Sequence, residues 1–368
     1  MWKKPYGRTG KNVSAIGFGG MRFPKPEEID ASAALVLHAH RRGINYFDTA
    51  PGYCNDKSED IMAAAFKSMP RDSFYVSTKT FASKTDEMRA AIEKSLTRLG
   101  VDRIDFYHMW CLNKEGDYQN RRDEGAIKAM IKAKEEGLIA HVVASSHLSG
   151  GLLKEVLAEG VFEGVLLGYC VVNFPYRQEA VDAAGAMGLG VAAMNPLGGG
   201  LLAQHAKTFD FVRGPADRTV VEAGLRFVVS DPSISTALVG FSSIEQIDEA
   251  VAAVENFRPY DAAHMERLRS GILDKFDGFC TGCGYCVPCP NGVPIPQFMD
   301  THNVMKLQND PDQSVPRLRW HWVVDPEAAA NCNDCGACED QCTQHLRIRD
   351  RLKEVLAASR EWEKKRQK

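Results

Sequence analysis

From residue 15 to about residue 256 the chain alternates short apolar runs with longer stretches in which apolar positions recur every three or four residues. The short runs predict buried strands and the longer stretches amphipathic helices, so the pattern is one of repeated βα units. The strand candidates are Ala15 to Phe18, Tyr46 to Asp48, Phe74 to Ser77, Ile104 to Met109, Ala140 to Ala144, Gly164 to Gly168, Val191 to Met194 and Thr236 to Val239. Helical stretches between them include Glu27 to Arg42, Thr85 to Leu99 and Arg121 to Glu136, the last stopped by Gly137. Eight consecutive units without a long excursion predict a closed (β/α)8 TIM barrel, with an open doubly wound sheet as the competing architecture. Ahead of them, Tyr6 to Arg8 and Asn12 to Ser14 flank Thr9 to Lys11 and predict a small hairpin plugging the bottom of the barrel.

Past Phe257 the alternation stops. Arg258 to Tyr260 contains a proline, Ala262 to Leu273 predicts a short helix, and from Phe279 a cysteine-rich region begins. The domain boundary is therefore expected near residue 275, with the barrel over 1–275 and a second domain over 276–368. A chain of 368 residues has room for both, since such a barrel takes about 250. With 44% hydrophobic and 25% charged residues and no low-complexity tract, it can bury a sizeable core. A net charge of −3 and the lack of a basic stripe argue against nucleic acid or anionic lipid as partners. Nowhere do about 18 apolar residues run together, and MWKKPYGRTG has no apolar run behind its lysines. A cytoplasmic protein, neither exported nor membrane-spanning, is expected.

Eleven cysteines occur, and eight of them fall between residues 280 and 342. In a reducing cytoplasm, thiols clustered in this way hold metal more often than they bridge one another. The first group is Cys280, Cys283, Cys286 and Cys289 followed by Pro290; the second is Cys332, Cys335, Cys338 and Cys342. Both resemble the run of bacterial ferredoxins, where thiolates at two-residue intervals converge on a four-iron, four-sulfur (4Fe-4S) cluster. In two-cluster ferredoxins the last cysteine of each run serves the other cluster. The resemblance thus implies one cluster on Cys280, Cys283, Cys286 and Cys342, and a second on Cys332, Cys335, Cys338 and Cys289. Gly282, Gly284 and Gly336 suit backbone that bends close to sulfide. Two departures stand out: two residues rather than three precede Cys289, and Thr343 rather than proline follows Cys342. A pair of structural zinc sites is the alternative, because Cys-x-x-Cys pairs also build tetrahedral thiolate cages. Ile295 to Leu307 and Val315 to Val324 predict helices, so a mainly α-helical ferredoxin-like iron–sulfur domain is expected.

In a (β/α)8 barrel, functional side chains stand at the C-terminal ends of strands. The second barrel strand ends in Phe47-Asp48-Thr49-Ala50, followed by Gly52-Tyr53 and Ser58-Glu59, and the third ends in Ser77-Thr78-Lys79. Asp48, Tyr53 and Lys79 on adjacent strand ends predict a proton-donor site, in which the ammonium lowers the tyrosine's pKa and the carboxylate positions the ammonium. The plain counterpart is a salt bridge between Asp48 and Lys79 with Tyr53 capping the barrel. Gly17 to Arg22 lacks the third glycine of a dinucleotide fingerprint and reads as the first strand's turn. Cys54 and Cys111 read as packing residues, and His147 follows the fifth strand within reach of a substrate.

These mouth residues resemble the aldo-keto reductase family, and the likeness spans most of residues 5–256. It continues in Val101-Asp102-Arg103-Ile104-Asp105-Phe106-Tyr107, in Ser145, in Asn195-Pro196-Leu197-Gly198-Gly199-Gly200-Leu201, and in Val239-Gly240-Phe241-Ser242-Ser243 ahead of Gln246. That family reduces aldehydes and ketones with NADPH or NADH, and one subfamily carries a C-terminal cluster domain. The resemblance implies Tyr53 as general acid with Lys79 and Asp48 as its tuning pair. It implies Ser145 and Ser146 beside the nicotinamide amide, Pro196, Leu197, Gly198 and Gly199 over the pyrophosphate, and Ser242, Ser243 and Gln246 at a helix N-terminus facing the adenosine phosphate. The family's catalytic histidine falls at position 110, which is Trp110 here. His108 lies on the same strand face about 6 to 7 Å deeper, and is either a catalytic residue brought forward by a bulge or a buried core histidine. Trp110 would offer its indole N–H to a substrate oxygen or narrow the site. Ser146 and Leu166 stand where the family has asparagine and glutamine, and Met194 where it stacks a tyrosine.

The expected function is NAD(P)H-dependent reduction of a carbonyl or polarised unsaturated small molecule. A binding or sensing barrel, with clusters for relay or regulation, is the alternative. The cluster domain is expected to pack beside the barrel mouth and help form the substrate pocket. Because nicotinamide releases a two-electron hydride while each cluster takes one electron, two routes stand open: an external electron carrier feeds the clusters, or a bound flavin without a visible signature splits the pair.

Overall fold

The computed structural model describes residues 1–366 apart from 114, 149, 175–176, 274–277 and 281; the expected boundary near residue 275 lies outside the described residues. β1 (Lys3–Pro5) and β2 (Asn12–Ser14) form an antiparallel hairpin. Then β3 (Ile16–Gly19), β4 (Tyr46–Asp48), β5 (Tyr75–Thr80), β6 (Ile104–Leu112), β7 (Ile139–Ser146), β8 (Gly164–Gly168), β9 (Gly190–Met194) and β10 (Ile234–Val239) close in sequence order into a parallel barrel, with helices outside. The open-sheet alternative is thereby excluded.

The hairpin differs from the expected one. Its first strand precedes Tyr6, because Gly7 takes a left-handed φ of 52° and ends the extended run. Tyr6 is instead the plug: fully buried, it packs 4.4 Å from Phe106 and 5.9 Å from Tyr46 between ring centroids. A Cβ on Gly164 or Gly190 would fall 2.6 or 2.1 Å from the Tyr6 ring, so only glycine leaves it room. The helix expected over Arg121 to Glu136 also breaks, into Asp117–Asp123 and Ala126–Glu135. Gly125 turns the chain there with a φ of 98°, and a Cβ at that position would collide with Thr85 Oγ1 at 2.3 Å.

Strand register stacks the lumen in layers. Tyr46 pairs with Tyr75, Asp48 with Ser77, and Lys79 with His108. Inward positions alternate along each strand, so the bottom is aromatic (Tyr46, Phe106), the middle is polar (Asp48, Ser77, His108), and Lys79 and Trp110 stand toward the mouth. The polar run Ser77-Thr78-Lys79-Thr80 extends β5 past its expected end, since Lys79 is buried by pairing rather than exposed.

Beyond the barrel, helices Ala262–Leu273, Ile295–Gln308 and Ile348–Arg366 and a π-helical turn at Pro316–Trp322 make the C-terminal region mainly helical. Its own core joins Val293, Phe298, Met299, Leu318, Leu352 and Val355. Residues 341–345 dock on the barrel: Arg177 donates to the Thr343 carbonyl at 2.5 Å, Asn173 to Gln344 at 3.3 Å, and Asn113 to Gln341 at 3.4 Å. Among the described residues, no helix is long and apolar enough to cross a membrane.

Candidate active site and thiol centre

At the mouth, the end of β4 and the end of β5 bring two opposite charges into a dry place. Lys79 Nζ donates to Asp48 Oδ1 at 2.7 Å and to the Thr49 carbonyl at 2.8 Å, with both side chains almost fully buried. Ser77 Oγ donates to Asp48 Oδ2 at 2.7 Å and lies 2.8 Å from His108 Nε2. Ser77 has one proton and gives it to Asp48, so the His108 Nε2–H donates to Ser77. A buried relay thus runs from His108 through Ser77 and Asp48 to Lys79. His108 is fully buried, and burial followed by the Lys79 charge holds its pKa well below the ordinary value, leaving it neutral. The irregularity in β6 falls after Met109, at Cys111 with a φ of 67°, and so does not carry His108 forward.

Tyr53 hangs over this relay, with Lys79 Nζ 5.1 Å from its ring centroid. Its phenol departs from the expected lowering. Burial pushes it well above the ordinary value, and the Asp48 carboxylate adds to the rise. The ammonium is already engaged by Asp48, so the pair offers the phenol little net positive charge. Trp110 packs edge-on to Tyr53 at 5.5 Å and stacks on Phe81 at 3.9 Å. Its indole engages the Tyr285 hydroxyl, which in turn meets the Cys111 thiol. Arg121 donates to the Trp110 carbonyl and fixes the strand end.

A cavity of about 470 Å³ opens here, a size that holds a small ligand or much of a larger one. It runs from Asp48, Tyr53 and His147 past Leu166, Met194 and the 195–200 loop to Ser242 and Gln246. Gly198, Gly199 and Gly200 all have φ above +60°, which turns the loop tightly over the cavity. Ser243 caps the helix Ile244–Val254 by accepting from Gln246 N, and Gln246 Oε1 accepts from Ser242 N. Pro196, Leu197, Gly199, Ser242 and Gln246 line this space, whereas Gly198, which is buried, and Ser243 do not. Ser145 and Ser146 are buried as well, and Ser146 Oγ is engaged by the Leu112 carbonyl and the Leu148 N–H. The C-terminal region completes the wall: Cys283 and Tyr285 face the same cavity, and Arg22 donates to the Gly282 carbonyl across it.

The thiols gather in two sets. Cys280 and Cys286 are pushed up to about 12 by burial and by neighbouring thiols, Cys283 and Cys342 among them. Cys289, Cys332, Cys335 and Cys338 line a second cavity of about 320 Å³, which Cys286 of the first set also borders. Among the described residues, no three His, Cys, Asp or Glu side chains stand close enough to hold a single metal ion. The arrangement fits a group with several irons, each reached by one sulfur, and iron would supply the positive charge that lets buried thiols ionise. Thr343 finds its reason here. Its hydroxyl lies 3.2 Å from Cys283 Sγ and its carbonyl accepts from Arg177, so the residue ties a thiol to the barrel.

Residues 15–272 match the Aldo/keto reductase family, and residues 279–346 match the 4Fe-4S dicluster domain. The chain belongs to the aldo/keto reductase family. L-galactose dehydrogenase of Arabidopsis thaliana is 30% identical over 280 residues, covering 67% of this chain and 86% of the relative. The NADH-specific methylglyoxal reductase of Escherichia coli is 24% identical, covering 74% and 99%. An aldo-keto reductase of Bacillus halodurans, solved in its holo form, superposes with a TM-score of 0.65 at 24% identity, covering 73% of this chain and 96% of that one. This aldo/keto reductase is therefore an oxidoreductase with a 4Fe-4S domain added to its barrel. The sequence points to Asp48, Tyr53, Lys79 and His108, and the structure adds Ser77 and Tyr285 to them. Ser77 carries a signal, since its alternation with Lys79 puts both in the lumen. Tyr285 carries none, because its place depends on how the second domain docks.

Proposed function

We propose that this aldo/keto reductase uses NADPH or NADH to reduce the carbonyl of a small molecule, or a similarly polarised unsaturated bond, with Tyr53 as proton donor. The observation that carries this reading is the buried Asp48–Lys79 pair beneath Tyr53 at the head of the long cavity. The residues along it fit a dinucleotide: a glycine loop over its middle and a capped helix N-terminus at its far end. When bound, the nicotinamide supplies a hydride. Tyr53 keeps its proton until charge grows on the substrate oxygen, then releases it there. Lys79, held by Asp48 and Thr49, keeps its ammonium 5.1 Å from the Tyr53 ring centroid, where it offsets part of the phenolate charge left behind. Leu166 stands where a polar contact to the nicotinamide amide is expected and Met194 where a tyrosine would stack on the ring, so this end of the cavity offers the nicotinamide apolar surface. The relatives named for methylglyoxal and L-galactose support a small carbonyl or sugar-like substrate.

In the same reading the C-terminal domain holds two 4Fe-4S clusters, one on Cys280, Cys283, Cys286 and Cys342 and one on Cys332, Cys335, Cys338 and Cys289. The mutual proximity of Cys280, Cys283, Cys286 and Cys342 supports that division, and the other four thiols share one cavity that Cys286 also borders. Ligand loss and activity separate the claims. Anaerobic protein should oxidise NADPH or NADH with an aldehyde, and Tyr53→Phe should abolish turnover while nucleotide still binds. Absence of nucleotide binding, or full turnover by Tyr53→Phe, would overturn it.

A further inference from the structure

Both residues that the sequence offers as partners for a substrate oxygen are engaged elsewhere. His108 is sealed in the barrel against Ser77, and the Trp110 indole faces Tyr285. His147 is different. It is 3% exposed, yet among the described residues neither ring nitrogen meets a hydrogen-bonding group. Native proteins rarely leave buried polar atoms so, because the lost hydration is not replaced.

The ring is nevertheless firmly placed. The His147 N–H donates to the Leu112 carbonyl at 2.8 Å. Its carbonyl accepts from Arg177 at 2.7 Å and faces His345 Nε2 at 3.1 Å. The imidazole packs edge-on to Tyr285 at 5.2 Å, and it lines the same cavity as Asp48 and Tyr53. A neutral imidazole carries one N–H donor, and burial, Arg177 and His345 keep this one neutral.

We propose that His147 donates the hydrogen bond that binds and polarises the substrate's carbonyl oxygen, sharing that oxygen with the Tyr53 hydroxyl while Tyr285 flanks the substrate. The inference rests on the proposed carbonyl reduction. His147 transfers no proton in it. The hydride adds to the carbonyl carbon and Tyr53 gives its proton to the oxygen, yielding an alcohol and oxidised nicotinamide. His147 holds the oxygen's growing charge meanwhile. Because its backbone is clamped by Arg177 and His345, the donor is held in place before substrate arrives.

The test compares holoprotein of wild type, His147→Phe and His147→Gln, with 4-nitrobenzaldehyde as the carbonyl probe. His147→Phe should lower kcat/KM roughly 100-fold, mostly in kcat, with the affinity for NADPH or NADH unchanged. His147→Gln keeps a side-chain donor and should recover part of the loss. Independently of turnover, infrared difference spectra should show the bound aldehyde's carbonyl stretch at lower frequency in wild type than in His147→Phe. Equal frequencies, unchanged turnover in His147→Phe, or no aldehyde binding to wild type would overturn the proposal. Loss of turnover in Tyr53→Phe alone, with His147→Phe fully active, would leave the carbonyl reduction standing and remove only His147. A wild type that binds no nucleotide would remove the reduction, and the infrared comparison would still decide on His147.

Discussion

The barrel and the C-terminal domain are held together by different means. One continuous apolar cluster threads the barrel's strands and helices, from Ile16 and Phe47 through Leu153 to Val251. The second domain buries a handful of side chains around Phe298, Leu318 and Leu352, and six of its cysteines pack against that core, partly buried. Burial of apolar area suffices for a large barrel, whereas a domain of this size leans on its ligands. The difference teaches where each half fails: the barrel fails when its core or its buried charges are disturbed, and the thiol domain when its iron is taken.

The largest expected effect follows from removing iron. Stripping the clusters with an anaerobic chelator should open residues 279–366 to proteolysis while the barrel keeps its far-ultraviolet circular dichroism and its own thermal transition. A chelated protein that resists protease throughout would erase the contrast. Within that domain, Cys342→Ser should remove the spectroscopic signal of the first-run cluster and spare the other, which spin resonance would resolve.

A change inside the barrel should act through an unpaired charge. Asp48→Asn leaves Lys79 buried without its counterion, and such a loss costs about 3–5 kcal/mol. The thermal transition of the barrel should fall accordingly, with turnover lost and the iron content of the second domain unaltered. Smaller is the effect of acid. Burial opposes ionisation of Glu163, but hydrogen bonds from His141 and Lys134 outweigh it and hold the carboxyl at about 2 instead of 4.5. A depressed folded-state pKa contributes stability that is present above pH 4.5 and is lost as the pH falls toward 2. Since Glu163 is half-buried, roughly 1–2 kcal/mol is expected after screening. Melting temperatures of wild type and Glu163→Gln should therefore converge between those pH values.

The finest effect joins the two halves. Thr343→Val removes the hydroxyl beside Cys283 Sγ and should lower the reduction potential of the cluster bound there. A hydrogen bond of about 1 kcal/mol corresponds to roughly 40 mV for a one-electron couple. A potentiometric titration that finds no downward shift would remove Thr343 from the cluster's surroundings.

The barrel was legible because its period and strand spacing are repeated and local, and each strand's burial is written in consecutive apolar residues. The same rule cut β5 short at Ser77, because Thr78 and Lys79 break the apolar run although both are buried. Asp48, Tyr53 and Lys79 could be read from their strand ends, and so could the depth of His108, whereas the choice between a catalytic and a core histidine needed the position of the irregularity in β6. The direction of the Tyr53 shift could not be read, since it depends on how fully Asp48 neutralises Lys79. Tyr285 and the His345 side of the clamp on His147 come from contacts more than a hundred residues apart, and neither leaves a periodic trace.

A cavity whose wall is drawn from two domains also constrains descent. Cys283 and Tyr285 stand beside Tyr53 and His147, so a lineage cannot exchange one domain for a cousin's without redrawing the other's pocket. Grafting a foreign thiol domain at residue 279 would install the metal-binding half intact and hand the barrel an unfamiliar lid. The two halves are therefore expected to be inherited as a unit, with residues 282–285 drifting in step with the loop that bears His147 rather than with the rest of their own domain.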